Sequence, residues 1–95
     1  MVALVNDEFA IRDNNGIAIF DGSGDFLNQL YNSVTDQIFG LAFDGKQNIM
    51  TIRTYESNNF GSHLYHTDVL IISTKSGVFS VVIREVRQME ILSSI

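Results

Sequence analysis

Two short apolar runs stand near the start of the chain, residues 9–12 (Phe-Ala-Ile-Arg) and 17–20 (Ile-Ala-Ile-Phe), on either side of the polar Asp13-Asn14-Asn15-Gly16. An Asn-Gly step favours φ > 0 at both central turn positions, so these runs predict a tight β-hairpin. The pattern then changes period. Leu27, Leu30, Tyr31 and Val34 follow at i, i+3, i+4 and i+7, with Asn28, Gln29, Asn32 and Ser33 between them. That spacing predicts one α-helix over residues 24–36, with Ser23 as its N-cap and Asp25 at the positive end of its dipole. The stripe continues through Ile38 and Leu41, which makes a helix reaching residue 42 the alternative. Against it, Phe39, Leu41 and Phe43 alternate as a strand would, and Gly40 would weaken a helix interior by about 1 kcal/mol.

From residue 38 onward the pattern reads as a β-meander, with strands at 38–43, 49–55, 68–73 and 78–83 joined through turn residues at 44–47 and 74–77. Both faces of 78–83 are largely apolar, Ser80 being the one polar residue, which predicts a central strand. Ile83, Val86 and Met89 are spaced by three, predicting a 3₁₀ turn at 84–87 and a last short strand at 89–92. Residues 56–67 show no clear period. The fold class expected is α+β, one domain over residues 1–95: an N-terminal β-hairpin, one α-helix, and a four- or five-stranded antiparallel meander packed on that helix. The alternative is a small SH3- or Sm-like β-barrel with an N-terminal extension.

Composition narrows the chemistry. The chain has no cysteine, which removes disulfides, a thiol nucleophile and cysteine-ligated metals. Its net charge of −5 lies entirely in residues 1–48, where seven acids face two bases; residues 49–95 carry four of each. This acidity disfavours nucleic acid and anionic membranes as partners. The apolar N-terminal residues 1–5 lack a basic flank and are too few for a signal peptide, and no run approaches the ~20 apolar residues of a membrane span. A soluble cytoplasmic protein is the expectation.

Each candidate site has an ordinary structural counterpart. Gly22-Ser23-Gly24 before a helix could cradle a phosphate, but Asp21 and Asp25 would repel one, and capping accounts for the same residues. Asp21, Ser23 and Asp25 also echo the start of a calcium loop, with Phe26 where glycine is needed and Asn32 where glutamate is needed. His63, His66 and Asp68 carry metal-ligand atoms, although on a strand His63 would face away from the other two. No sequence context supports a Ser-His-Asp nucleophile. Tyr55, Phe60 and Tyr65, with His63 and His66 between them, form an aromatic cluster of the kind that anchors interfaces; Phe60 could instead fold back as a lid.

The function these residues predict is a small acidic non-enzymatic protein-binding module, such as an inhibitor or adaptor, that needs no cofactor or metal. Its partner would present a basic surface to Asp21, Asp25, Tyr55, Phe60, His63, Tyr65 and His66. Small sheets leave edges open, so a homodimer is expected as well. The alternatives are a small-ligand or nucleotide sensor using the Gly22–Gly24 turn or the histidine segment, and a minor enzyme built on His63, His66 and Asp68.

Overall fold

A computed structural model describes residues 1–59 and 61–88. Eight strands account for its regular structure: β1 (Val2–Ala3), β2 (Glu8–Arg12), β3 (Gly16–Asp21), β4 (Phe26–Asn32), β5 (Gln37–Phe43), β6 (Asn48–Asn59), β7 (Ser62–Ser73) and β8 (Phe79–Gln88). They form two antiparallel four-stranded meanders, β1-β2-β3-β4 and β5-β6-β7-β8, each in chain order. Among the described residues neither sheet closes on itself, in contrast to the barrel alternative. Ala10, Ile17, Ile19 and Leu30 of the first sheet pack against Ile38, Ile49, Leu70 and Ile72 of the second as one buried core. No helix of the described residues is long and apolar enough to cross a membrane.

The expected α+β class is overturned: the described residues contain no helix. Where a helix was expected at 24–36, the chain forms β4, and its register explains the helical spacing. Ile17 faces Tyr31 and Ala18 faces Gln29, so Leu30 is an extra residue; Ile19 faces Asn28 and Phe20 faces Phe26, so Leu27 is another. Two β-bulges three residues apart turn a period of two into an apparent period of three. Leu27 and Leu30, read as one helical stripe, are those bulged residues. Gly24, with φ 87°, makes the tight turn into this strand.

The first hairpin is present, with different turn chemistry. Asp13 N donates to Gly16 O at 3.0 Å, and neither Asn15 nor Gly16 has positive φ. The turn instead holds the β4–β5 connection and the start of the second sheet. Asn14 O accepts from Ile38 N at 2.9 Å, Asn15 O accepts from Ser33 N at 3.0 Å, and Asn15 Nδ2 donates to Asp36 O at 2.9 Å. Gly16 is needed for packing: a Cβ there would lie 2.7 Å from Tyr31 O.

The meander from residue 38 is present with longer strands. Residues 56–59 and 62–67 extend β6 and β7 into one long hairpin, paired from Asn48–Ser73 to Asn59–Ser62. The 3₁₀ turn expected at 84–87 is absent, because β8 runs straight through those residues to Gln88. The three-residue spacing marks no turn: Ile83 to Gln88 pair regularly with Val69 to Leu64, which puts Ile83 and Val86 on opposite faces. The one bulge comes before them, where Val69 faces Ile83 and Leu70 faces Val81, leaving Val82 extra. Phe60 and the strand expected at 89–92 lie outside the described residues.

A fourth irregularity bends β5. Phe39 faces Ile52 and Ala42 faces Met50, with Gly40 in the left-handed region at φ 68°. The buried Thr51 hydroxyl donates to Gly40 O at 2.7 Å. A Cβ on Gly40 would meet nothing within 4 Å, so the effect of adding one is purely conformational. Gly40→Ala is expected to lower stability by about 1–2 kcal/mol in urea unfolding, the cost of left-handed backbone in an L-residue. An unchanged midpoint would mean that β5 has no such bulge.

Candidate functional site

The first sheet covers only part of the second. β1 and β2 pack beside β5, and every buried apolar residue of the second sheet lies between Ile38 and Ile72 in the paired rows. The molecule measures 58 × 22 × 18 Å because β6, β7 and β8 run on past the sandwich as a ribbon.

A row of charge marks the boundary. Ile38, Arg53, Asp68 and Arg84 stand opposite one another across β5 to β8. Asp68 has 0% of its surface exposed. Its Oδ2 accepts from Arg53 Nη2 at 2.5 Å and Nε at 3.2 Å, while its Oδ1 accepts from Arg84 Nε at 2.9 Å. Arg53 Nη1 donates to the Tyr31 hydroxyl at 3.1 Å, and that hydroxyl donates to Asp36 Oδ2 at 2.8 Å. The network thus ties β4 of the first sheet to three strands of the second. Burial alone would raise the Asp68 pKa, but the hydrogen bonds and charges of Arg84 and Arg53 bring it below the ordinary carboxylate value. Burial raises that of Tyr31, partly offset by the Arg53 hydrogen bond. The Arg53 guanidinium also lies over the rings of Tyr55 and Phe79, 5.2 and 5.3 Å from their centroids.

The next row outward on the same face holds Tyr55, His66 and Val86. The Tyr55 and His66 rings stack at 4.3 Å, and His66 Nε2 lies 2.8 Å from Ser57 Oγ. His66 Nδ1 is buried and has no hydrogen-bond partner among the described residues. A serine nucleophile would need a carboxylate at that nitrogen to orient the ring. His63 faces the other side of the ribbon, its Nε2 3.1 Å from Glu56 Oε2. His63, His66 and Asp68 therefore do not converge, and no group of three metal-ligating side chains occurs among the described residues.

Asp21 and Asp25 lie elsewhere, at the β3–β4 turn of the first sheet. Asp21 Oδ1 accepts from both Ser23 N and Asp25 N at 2.9 Å, so the carboxylate occupies the backbone donors that a phosphate would need. A strand, not a helix N-terminus, follows that turn. The structure thus brings Tyr55 and His66 together on one face of the ribbon, puts His63 and Tyr65 on the other, and leaves both aspartates in the other sheet. Tyr55, Glu56 and Tyr65 line a cleft of about 440 Å³ with Thr35, Gln37 and Thr54, at the start of β5, where β6 extends beyond it.

The surface missed in the sequence is β8. It was expected at the centre of the sheet and is its edge: β7 flanks one side, and no described strand flanks the other. Phe79, Val81, Val82, Ile83 and Val86 are all exposed along it. The outer face of the same sheet adds Phe39, Met50 and Ile52, also exposed. The apolar character of both faces was visible in the sequence, but it fits an edge awaiting a partner as well as a central strand. No family model, curated protein or solved structure matches this chain.

Proposed function

We propose that this chain is a non-enzymatic, cytoplasmic protein-binding module that docks through the open edge and apolar faces of its second sheet. One observation carries the reading: β8 offers ten consecutive strand residues whose outer edge has no described neighbour and whose apolar side chains stand in solvent. Unpaired backbone donors and acceptors beside exposed Val and Ile form a template for another strand. An apolar area of this kind marks an interaction site in soluble proteins. The side-chain chemistry of the ribbon supports a binding role over catalysis, because Asp68 is engaged by two arginines and His63 lies across the ribbon from His66. The partner contact in this reading moves from the acidic Asp21–Asp25 turn to β8; the acidic first sheet keeps the protein dispersed.

The test is gel filtration with light scattering, on the pure chain and on the tagged chain in lysate of its source. Particles heavier than 10.6 kDa in at least one setting are expected. They should be lost in Ile83→Lys/Val86→Lys, which alters two exposed positions. Migration at monomer mass in both settings, or complexes indifferent to the double substitution, would overturn the reading.

A further inference from the structure

We infer that the strand completing the second sheet is β8 of a second copy of this chain, paired antiparallel about Val86. The inference rests on the docking role proposed for β8 and names its occupant. A two-fold pairing of identical antiparallel strands puts one residue opposite itself, and side chains opposite one another share a face. The available registers differ sharply in charge. Centring on Arg84, Glu85 or Arg87 sets a like charge against itself on the axis. Centring on Val82 or Ile83 sets Glu85 against Phe79 or Val81 and runs the pairing through the Val82 bulge. Centring on Val86 sets Glu85 of each copy against Arg87 of the other, twice, and Arg84 against Gln88. Glu85 and Arg87 lie on the outer face, opposite Thr67 and Tyr65, while Arg84, Val86 and Gln88 lie on the inner face, opposite Asp68, His66 and Leu64. The faces therefore match as well as the charges. This stretch from Ile83 to Gln88 pairs regularly with β7, beyond the bulge. Glu85 and Arg87 already form an ion pair within one exposed strand. Self-pairing would convert that contact into a ring of four alternating charges.

Charge reversal in trans tests the register. Wild type is expected at twice 10.6 kDa at micromolar concentration. Glu85→Arg alone sets arginine against arginine, and Arg87→Glu alone sets glutamate against glutamate. Each variant should be folded by circular dichroism, because both side chains are more than half exposed, yet run as a monomer. An equimolar mixture of the two should recover the dimer mass, since each then meets its opposite. The chain has no cysteine, so Val86→Cys provides a second reading. Paired Cα atoms lie about 4.5–5.5 Å apart, within disulfide reach, and a covalent dimer should form on oxidation. Val82→Cys, about 27 Å from its own copy in this register, should give none. A monomeric wild type at 100 µM, no recovery on mixing, or cross-linking through position 82 rather than 86 would overturn the inference. A pure monomer that nevertheless forms a β8-dependent complex in lysate would overturn self-pairing alone and leave the docking role standing; a monomer in both settings overturns both.

Discussion

Asp68→Ala is expected to cost about 3–5 kcal/mol of folding stability, a large share of the ~5–15 kcal/mol that holds a domain together. The carboxylate is wholly buried and accepts from Arg53 and Arg84 on either side. Removing it leaves the Arg53 guanidinium, itself only 10% exposed, without its main counter-charge. Arg84 is about half exposed and can turn to water, so most of the loss falls on Arg53. The cost belongs to the broken pair rather than to the absence of charge. Asp68→Leu combined with Arg53→Met should therefore unfold at higher urea than Asp68→Ala, because neither desolvated charge then remains alone. If the single and double variants unfold together, the buried pair is not the source of the loss.

The same carboxylate gives the acid limb its sign. Its folded pKa lies below the ordinary value, so the contribution of Asp68 is present in full above the unfolded carboxylate pKa of about 3.9 and is lost as pH falls through the lower folded value. Urea midpoints should decline below pH 4 in wild type and decline less steeply in Asp68→Asn. Tyr31 acts at the other end of the scale. Its raised pKa favours the neutral phenol in the folded chain, so its contribution is present below about pH 10 and is lost as pH rises through the folded value.

Legibility in the sequence followed regularity. The first hairpin and the cores of β6 and β7 were readable because their pairing runs without a register shift. Extension of β6 and β7 through 56–67 was hidden because Glu56, Asn58, His63 and Tyr65 on one face oppose Tyr55, Ser57, Leu64 and His66 on the other, so neither face is cleanly apolar. The ion row had a signal that alternation could have found. Asp68 shares a face with Leu70 and Ile72, and Arg53 shares one with Ile49 and Thr51; a charge on a core-facing position of a strand implies an opposite charge on its neighbour. Which arginine that would be required the register, and register is a long-range property. His66 and Asp68 share a face as alternation demands, yet Asp68 is taken by guanidinium groups that no local pattern brings near it.

The sharpest contrast between the helical reading of 24–36 and the bulged strand is expected at Leu30, Leu27 and Val34. A helix would bury all three on one stripe, and truncating each would cost a similar amount. In β4 the two bulges separate them. Leu30 is 6% exposed in the core, Leu27 is 47% exposed, and Val34, past the end of the strand, is 94% exposed. Leu30→Ala should cost about 2–5 kcal/mol, the range for a buried leucine whose cavity collapses only in part. The core around it is thin: Ala10, Ile17 and Ile19 are its buried apolar companions in the first sheet. Leu27→Ala should cost less than about 1 kcal/mol, and Val34→Ala about 0.5 kcal/mol or less, as for surface positions generally. Urea unfolding at constant m-value reads all three on one scale. Equal losses at the three positions would restore the helix and with it the α+β class. A loss confined to Leu30 fixes the chain in the bulged strand, where an inserted residue, rather than a helical turn, carries a leucine into the core.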